Sequence, residues 1–485
     1  MSFRLSSTIE KFPATVGVEQ NMSELMRPTF DLKLIEKYGG EGPRYTSYPT
    51  APQFTDRFSA TDYCMAMAES NRLPIPADLS LYVHVPFCSS PCFYCGCNRV
   101  ITRSASAGDQ FLANLGRELD LVAPRFDRDR LVRQLHLGGG TPTFLNVDQL
   151  RQMLLMLQKH FSFADDAELG LEIDPRTIDP AGIRALADMG FNRLSIGVQD
   201  LEADVQKAVN RIHDTAMVSA CMGAARAAGF GSISLDLIYG LPLQTTMGFA
   251  RTIDTVISMR PDRIALFNYA HLPHLFKAQR RIDEKQLPTP STKLAIFRNT
   301  LNRLLDAGYE FIGMDHFALP DDSLVRARQD GSLVRNFQGY STHGGLDLVS
   351  FGPSAISQVG DCFAQNARSI DEWAISLNEG RIPTIRGLTR CLDDRLRGDI
   401  IERIMCTGTL NYRDIEKLYE LKFRRYFANE IHGLQPLADD GLIEIHPGGF
   451  SVTSNGLLFL RAIAKVFDAY LQPQTQGSGR FSRIV

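Results

Sequence analysis

Between Leu79 and about Phe317, short apolar runs alternate with longer stretches that have the apolar spacing of helices. The short runs are rich in Val, Ile and Leu and predict strands that are buried on both faces. The predicted strands are Leu79–Phe87, Leu131–Leu137, Glu168–Ile173, Arg193–Val198, Ser232–Ile238 and Arg263–Phe267. The predicted helices are Gly108–Pro124, Val147–Phe161, Pro180–Met189, Thr215–Ala228, Met247–Met259 and Ser291–Ala307. This order predicts an α/β fold in which right-handed crossovers curl parallel strands into an incomplete (β/α)6-type barrel.

The pattern is different on either side of this region. Residues 1–30 have no apolar central region of the kind that a secretory signal needs, and we interpret them as a disordered extension. Residues 31–78 predict a short helix followed by a Gly-, Pro- and Tyr-rich strap. The strap is either surface packing or a substrate-side lid, with Arg44 available to an anionic ligand. We assign residues 79–360 to the partial barrel and residues 361–485 to a mainly helical, winged-helix-like C-terminal domain with one hairpin. The helices predicted there are Ile370–Asn378, Asp393–Met405, Tyr412–Leu418, Phe423–Leu437 and Asn455–Tyr470.

Composition and charge exclude several classes of protein. The chain is 44% hydrophobic, which is enough for a large core, and its net charge of −3 provides no basic surface for nucleic acid or an anionic membrane. No apolar run approaches the roughly 18 residues that span a bilayer. The nine cysteines are partly clustered and partly scattered, which is typical of a reducing compartment. We therefore expect a cytoplasmic monomer that has no membrane span and binds no nucleic acid.

Four cysteines are concentrated in the segment C-S-S-P-C-F-Y-C-G-C-N, residues 88–98, directly after the first predicted strand. Thiolates this close together can converge on one metal centre, and loops after strands are the usual place for chemistry on an α/β scaffold. A closed zinc site usually takes two separate C-x2-C pairs, and no second pair occurs downstream. The spacing C-x3-C-x2-C of Cys88, Cys92 and Cys95 suits an iron–sulfur cluster that keeps one iron free of protein sulfur. Zinc and inert structural cysteines stay the alternatives, and Cys97 is not needed as a ligand.

Further polar residues follow the ends of the predicted strands, where a parallel architecture places its site. The segment G-G-G-T-P-T, residues 138–143, follows the second strand, and its glycines allow backbone N–H groups to approach a carboxylate ligand. The next three strands and the turns after them contribute Glu172, Asp174, Arg176, Gln199, Arg211, Asp236 and Tyr239. Each residue alone could equally form a structural ion pair or contact. Together on one rim, they predict a ligand pocket.

The cysteine segment resembles the signature of the radical S-adenosylmethionine (SAM) enzymes, and the glycine run resembles their SAM-binding G-G-E motif, with Thr141 in place of the usual Glu. In that superfamily SAM binds the free iron, and an electron from the cluster splits SAM to give a 5′-deoxyadenosyl radical. From about residue 31 to the C-terminus, the chain resembles the oxygen-independent coproporphyrinogen III oxidase family. The segments that carry this resemblance, besides the cysteine segment, are P-R-Y-T-S-Y-P-T (43–50), L-G-G-G-T-P-T (137–143), N-Y-A-H-L-P (268–273), G-M-D-H-F (313–317) and R-N-F-Q-G-Y (335–340).

This resemblance implies one 4Fe-4S cluster on Cys88, Cys92 and Cys95, together with two SAM molecules. The residues that it implies for the first SAM are Tyr82, Gly139, Glu172, Gln199 and Arg211. Those that it implies for a second SAM nearby are Tyr94, Gly140, Thr141, Asp236, Ala270 and Ile356. The family commonly has Phe where this chain has Tyr94, a change that preserves stacking and adds a hydroxyl. Arg44 and Gln338 are our candidates for contacts with the substrate.

The implied reaction is oxidative decarboxylation of the ring A and ring B propionates of a tetrapyrrole, coproporphyrinogen III. Its products are two vinyl groups, two CO2 and protoporphyrinogen IX, an intermediate of haem synthesis. The reaction requires an electron donor for the cluster and a terminal electron acceptor that the sequence does not identify. It requires no general acid or base, so His84, His271 and His316 are interpreted as structural. The alternatives are a haem-binding or haem-degrading radical SAM paralogue and a zinc-binding interaction module; such paralogues usually lack Cys97 and the 43–50 segment.

Overall fold

The structure, a computed structural model, describes residues 27–471 and residue 483. Most of the predicted N-terminal extension, residues 1–30, therefore lies outside the described residues. The main feature is a twelve-stranded sheet. In chain order its strands are β1 (Leu79–Val85), β2 (Leu131–Gly139), β3 (Ser162–Ile173), β4 (Arg193–Gln199), β5 (Ser232–Tyr239), β6 (Arg263–Asn268), β7 (Glu310–Gly313), β8 (His316–Ala318), β9 (Asp347–Phe351), β10 (Ile356–Val359), β11 (Cys362–Asn366) and β12 (Thr384–Thr389). Their order across the sheet is β12-β11-β10-β9-β1-β2-β3-β4-β5-β6-β8-β7.

Strands β9 and β1 to β6 are parallel, which confirms the predicted α/β fold with a parallel sheet. Antiparallel strands extend this sheet at both ends. The largest difference from the predicted strands is in β3, which begins at Ser162 rather than at Glu168. The first residues of β3 pair with Leu131 and Val132, but Asp165 and Asp166 are exposed. These two acidic residues interrupt the apolar pattern on which the prediction depended.

Helices connect the parallel strands, as the alternating pattern predicts. They are Ser106–Val122 after β1, Val147–His160 after β2, Pro180–Asp188 after β3, Ala203–Ala208 and Thr215–Ala227 after β4, Thr246–Met259 after β5 and Pro290–Asp306 after β6. Polar side chains cap several of their N-termini; the Asn146 side chain, for example, accepts the Gln149 N–H at 2.9 Å. No helix in the range 27–471 is both long and apolar enough to cross a lipid bilayer.

Alternate residues of the parallel strands face a polar interior. On β1, Leu81 and Val83 are fully buried in the hydrophobic core, whereas the Tyr82 ring stacks on the His136 ring of β2, with 6.1 Å between centroids. Because side chains of a strand alternate between its two faces, polar residues at every second position meet on one side of the sheet. These residues line a cavity of about 150 Å³ and include Gln134, His136, Glu168, Glu172, Ser195, Ser234 and Asp236.

The strap between the N-terminal helices is an ordered loop. The first helix, Leu32–Tyr38, is capped by Asp31 and was predicted, whereas the second, Ala60–Asn71, was not. Tyr45 in the strap is buried, and its hydroxyl donates to Asp468 of the C-terminal region at 3.0 Å. The strap therefore packs against the C-terminal part of the chain.

The sheet continues past residue 360, where the sequence analysis placed the end of the barrel domain. Strand β11 pairs with β10 and β12 pairs with β11, so the sheet extends to Thr389. The remaining helices are Ser323–Gln329, Ile370–Asn378, Leu392–Thr407, Tyr412–Tyr419, Phe423–Tyr426, Ala428–Asp439 and Leu460–Ala464. The predicted hairpin consists of the strands Ile443–His446 and Gly449–Val452, and a third strand, Thr409–Asn411, pairs with Gly449–Val452. The last helix is shorter than predicted, because the 3-10 turns Leu457–Phe459 and Lys465–Phe467 take the place of α-helix on either side of Leu460–Ala464.

Candidate active site

The cysteine segment forms a loop that its own arginine holds in place. The loop begins with the short strand Phe87–Cys88, which pairs in parallel with Val100–Ile101. Arg99 donates from Nη1 to the Cys95 carbonyl and from Nη2 to the Cys92 carbonyl, both at 3.1 Å. Because both bonds come from one planar guanidinium group, they fix the positions of the two cysteines relative to each other.

This loop borders a cavity of about 680 Å³ at the carboxyl ends of the parallel strands. The volume is typical of a small-molecule or cofactor site. Most of the predicted site residues line it, namely Cys88, Cys92, Cys95, Tyr94, Gly139, Gly140, Thr141, Glu172, Gln199, Arg211 and Asp236. Cys97 lines it too. The structure therefore brings these residues together, while their individual roles stay predictions.

The end of β2 consists of glycines because side chains would not fit there. Gly139 has a φ of +113°, and a Cβ at this position would lie 2.8 Å from the His84 ring. A Cβ on Gly140 would lie 2.7 Å from the Phe87 carbonyl oxygen. The Gly139 N–H donates to Glu172 Oε2 at 3.3 Å. The glycines thus allow β2 to approach β1 closely and leave bare backbone beside the cavity.

Charged side chains surround the Cys92 sulfur. Arg211 Nη1 lies 3.4 Å from this sulfur and Arg176 Nη2 lies 3.7 Å from it. Both guanidinium groups also donate to the Asp174 carboxylate. Burial alone would raise the pKa of Asp174, but Arg211 and Arg176 outweigh it and hold this pKa below its usual value. Asp174 and Arg176 follow β3 in the sequence, yet only the structure shows that Arg176 reaches Cys92 and that Asp174 joins the two arginines beside it.

A second carboxylate lies on β5. Burial raises the pKa of Asp236 to about 7, and the nearby charge of Glu172 acts in the same direction. The Ser195 hydroxyl donates to Asp236 at 3.1 Å. With a pKa near neutrality, Asp236 can accept a hydrogen bond from a polar ligand or donate one to it.

Comparisons with known proteins identify the family. Residues 82–256 match the model of the radical SAM superfamily, and residues 392–459 match that of the HemN C-terminal domain. An oxygen-independent coproporphyrinogen III oxidase from Pseudomonas aeruginosa is 47% identical over 458 residues, which cover 94% of this chain and 99% of the relative. The chain belongs to the oxygen-independent coproporphyrinogen III oxidase family. The Escherichia coli protein of this name is 45% identical over 456 residues, which cover 94% of this chain and 98% of the relative.

A solved structure supports the same family and confirms its α/β radical SAM fold. It is described as coproporphyrinogen III oxidase (HemN) from Escherichia coli, a radical SAM enzyme. The comparison gives a TM-score of 0.88 and 45% sequence identity, and it covers 92% of this chain and 100% of the other. The alignment thus extends over almost the whole chain, and the match of residues 392–459 to the HemN C-terminal domain includes the C-terminal part in the family.

Membership of this radical SAM family implies a 4Fe-4S cluster and SAM, and the cysteine loop fits the cluster. Three cysteines at the expected spacing line one cavity, and the guanidinium groups of Arg211 and Arg176 lie 3.4 and 3.7 Å from the Cys92 sulfur. Among residues 27–471 and 483, no group of three or more His, Cys, Asp and Glu side chains converges for a single metal ion. A closed zinc site would hold its ligands about 2.0–2.3 Å from one ion. A cluster of several irons holds its ligands further apart.

Gln199 provides the observation that fits SAM. Its side-chain Oε1 is buried and has no hydrogen-bond partner within the part of the chain that the structure describes. Its backbone is in the left-handed region, with a φ of +70°. Unpaired buried acceptors are costly, and strained backbone is found mainly at functional sites. Since Gln199 lines the cavity, a polar ligand bound there would complete its hydrogen bonding.

Three predicted SAM residues, Tyr82, Ala270 and Ile356, are not among the residues that line the cavity. Tyr82 is on the inner face of β1. The Ala270 carbonyl accepts from the Gln279 amide at 3.2 Å, and the same amide donates to the Tyr94 carbonyl at 2.8 Å, so Ala270 adjoins the cysteine loop. Ile356 is in β10, separated from β1 by β9. The structure thus places Tyr82 and Ala270 next to the site and Ile356 further along the sheet.

The two substrate candidates occupy neighbouring spaces. Arg44 forms an ion pair with Asp315, and its guanidinium group lies 5.9 Å from the ring centroid of Phe267, which lines the large cavity. Gln338 lines the 150 Å³ cavity, where its Nε2 has no hydrogen-bond partner among the described residues. Phe267 and Glu172 line both cavities, so Gln338 lines a space that adjoins the large cavity, and Arg44 lies against a residue that the two cavities share.

Proposed function

We propose that this protein converts coproporphyrinogen III into protoporphyrinogen IX without molecular oxygen, by oxidative decarboxylation of the ring A and ring B propionates. The observation that carries this proposal is the convergence of the cysteine loop, the glycine end of β2 and the charged ends of β3 to β5 on one cavity. Relatives that match nearly the whole chain are named for this activity, which supports the choice of substrate.

In this proposal Cys88, Cys92 and Cys95 bind the cluster. Two SAM molecules share the cavity, the first near Glu172 and the second near Asp236. When bound, the cluster and SAM supply an electron and a 5′-deoxyadenosyl radical that removes a hydrogen atom from the β-carbon of a propionate. Release of each CO2 also requires that one electron leave the substrate. An electron donor for the cluster and a separate electron acceptor are therefore needed.

The side chains around the cavity orient the substrate and exclude water, because the reacting hydrogen must be held close and side reactions prevented. Arg44 is the candidate for binding a substrate carboxylate, since a guanidinium group can bind a carboxylate with two parallel hydrogen bonds. It would exchange its ion pair with Asp315 for one with the substrate. Gln338 would donate its unpaired amide N–H to the same ligand.

We place this reaction in the cytoplasm, because all nine cysteines are free thiols. The test is an anaerobic assay of reconstituted protein with coproporphyrinogen III, SAM and dithionite, in which products are identified by mass. We expect protoporphyrinogen IX together with 5′-deoxyadenosine. Release of 5′-deoxyadenosine without protoporphyrinogen would refute the proposed substrate, and tight haem binding in that case would favour a haem-handling paralogue.

A further inference from the structure

Arg176 is a charged residue of the cavity to which the proposed function assigns no role. Its Nε and Nη2 donate to the Asp174 carboxylate at 2.9 and 2.6 Å. Its backbone N–H donates to the same carboxylate at 3.1 Å. The Thr177 hydroxyl closes the turn by donating to the Asp174 carbonyl at 2.9 Å. The turn after β3 therefore holds the Arg176 guanidinium group rigidly, with Nη2 3.7 Å from the Cys92 sulfur.

The charges beside this sulfur do not cancel. Cys92 and Asp174 are only 8% and 5% exposed, so solvent screens them weakly. Two guanidinium groups, from Arg176 and Arg211, face one carboxylate. Arg211 also donates to the Gly197 carbonyl at 2.5 Å and is a candidate SAM ligand. The side chain of Arg176 contacts Asp174 and the Cys92 sulfur, and Arg176 is not a candidate SAM ligand. Its effect on Cys92 can therefore be measured separately from SAM binding.

Hydrogen bonds to the sulfur ligands, and the net charge around them, set the reduction potential of an iron–sulfur cluster. A donated N–H withdraws electron density from the sulfur, and a positive charge favours the reduced cluster, which carries one more electron. Both effects raise the midpoint potential. A residue that only braces the turn after β3 would leave the potential unchanged once the cluster is assembled.

We propose that Arg176 is a positioning residue that donates a hydrogen bond to Cys92 and thereby raises the midpoint potential of the cluster that Cys92 helps to bind. The inference rests on the part of the proposed function that places the cluster on Cys88, Cys92 and Cys95. Iron and sulfide analysis of the wild-type protein tests that part separately.

The experiment is a potentiometric titration, without SAM, of anaerobically reconstituted wild type, Arg176→Gln and Arg176→Lys. Dithionite supplies the single electron that reduces the cluster, and EPR follows the reduced form. We expect Arg176→Gln to bind wild-type amounts of iron but to have a more negative midpoint potential. Arg176→Lys keeps the charge but loses the planar fork, so its potential should lie in between. Arg184→Gln, which removes an exposed arginine from the next helix, is the matched control and should leave the potential unchanged.

An Arg176→Gln cluster with the wild-type potential and EPR spectrum would overturn the inference. If Arg176→Gln does not take up iron, Arg176→Lys decides. A midpoint potential of Arg176→Lys below that of the wild type then supports the proposal. A wild-type potential in Arg176→Lys would mean that Arg176 only braces the turn, and would overturn the proposal. A wild-type protein that binds no iron after reconstitution would instead refute the proposed function, so the two failures are distinguishable.

Discussion

Replacement of Gly139 by alanine tests whether the close approach of β2 to β1 builds the site. The new Cβ would lie 2.8 Å from the His84 ring, on a backbone with a φ of +113°. The strained backbone costs about 1–3 kcal/mol and the overpacking a further 1–3 kcal/mol, roughly. We therefore expect Gly139→Ala to lower the free energy of unfolding by about 2–6 kcal/mol. SAM binding should also weaken, because the clash would displace the Gly139 backbone and break the hydrogen bond between its N–H and Glu172.

Urea unfolding of the cluster-free protein measures the first effect, and calorimetric titration of the reconstituted protein with SAM measures the second. Gly223→Ala is the matched control, since it lies within the helix Thr215–Ala227 and a Cβ there would meet no atom within 4 Å. This variant should gain about 0.5–1 kcal/mol from the higher helix propensity of alanine. The steric argument fails if Gly139→Ala is as stable as Gly223→Ala and binds SAM like the wild type.

Three further predictions follow from individual residues. Burial raises the pKa of Glu118 to about 7 from 4.5, so its contribution to stability is complete below pH 4.5 and is lost as pH rises through 7. Urea unfolding across this pH range should show that the free energy of unfolding falls by about 3 kcal/mol. If Glu118→Gln shows the same dependence on pH as the wild type, the raised pKa of Glu118 is contradicted. Cys92→Ser should abolish iron binding and turnover together, whereas full iron content with activity would remove Cys92 from the ligands. Tyr94→Phe should keep near-normal activity, measured as product formed, and a loss beyond about tenfold, or 1.4 kcal/mol, would show that the hydroxyl is needed.

The sheet and the cysteine centre could be predicted because their signals are local. The strands β1 and β2 and the helix between them could be predicted because apolar residues recur with the spacing of strands, two residues, or of helices, 3.6 residues. The three cysteines lie within one short loop, and the glycines that face them end the next strand. Since parallel strands end at the same edge, residues placed after them by the sequence meet in space. For this reason most of the predicted site residues line one cavity.

Only the tertiary structure decided which side chains act on those cysteines and how far the sheet extends. Arg211 reaches Cys92 across 119 residues, and Arg44 pairs with Asp315 across 271 residues. The strands β11 and β12 join the main sheet, although the sequence assigned them to a separate domain. Such contacts depend on the packing of distant elements and leave no periodic trace in the sequence. The sequence by itself therefore determined the scaffold and the candidate cluster ligands, whereas folding alone set their electrostatic surroundings.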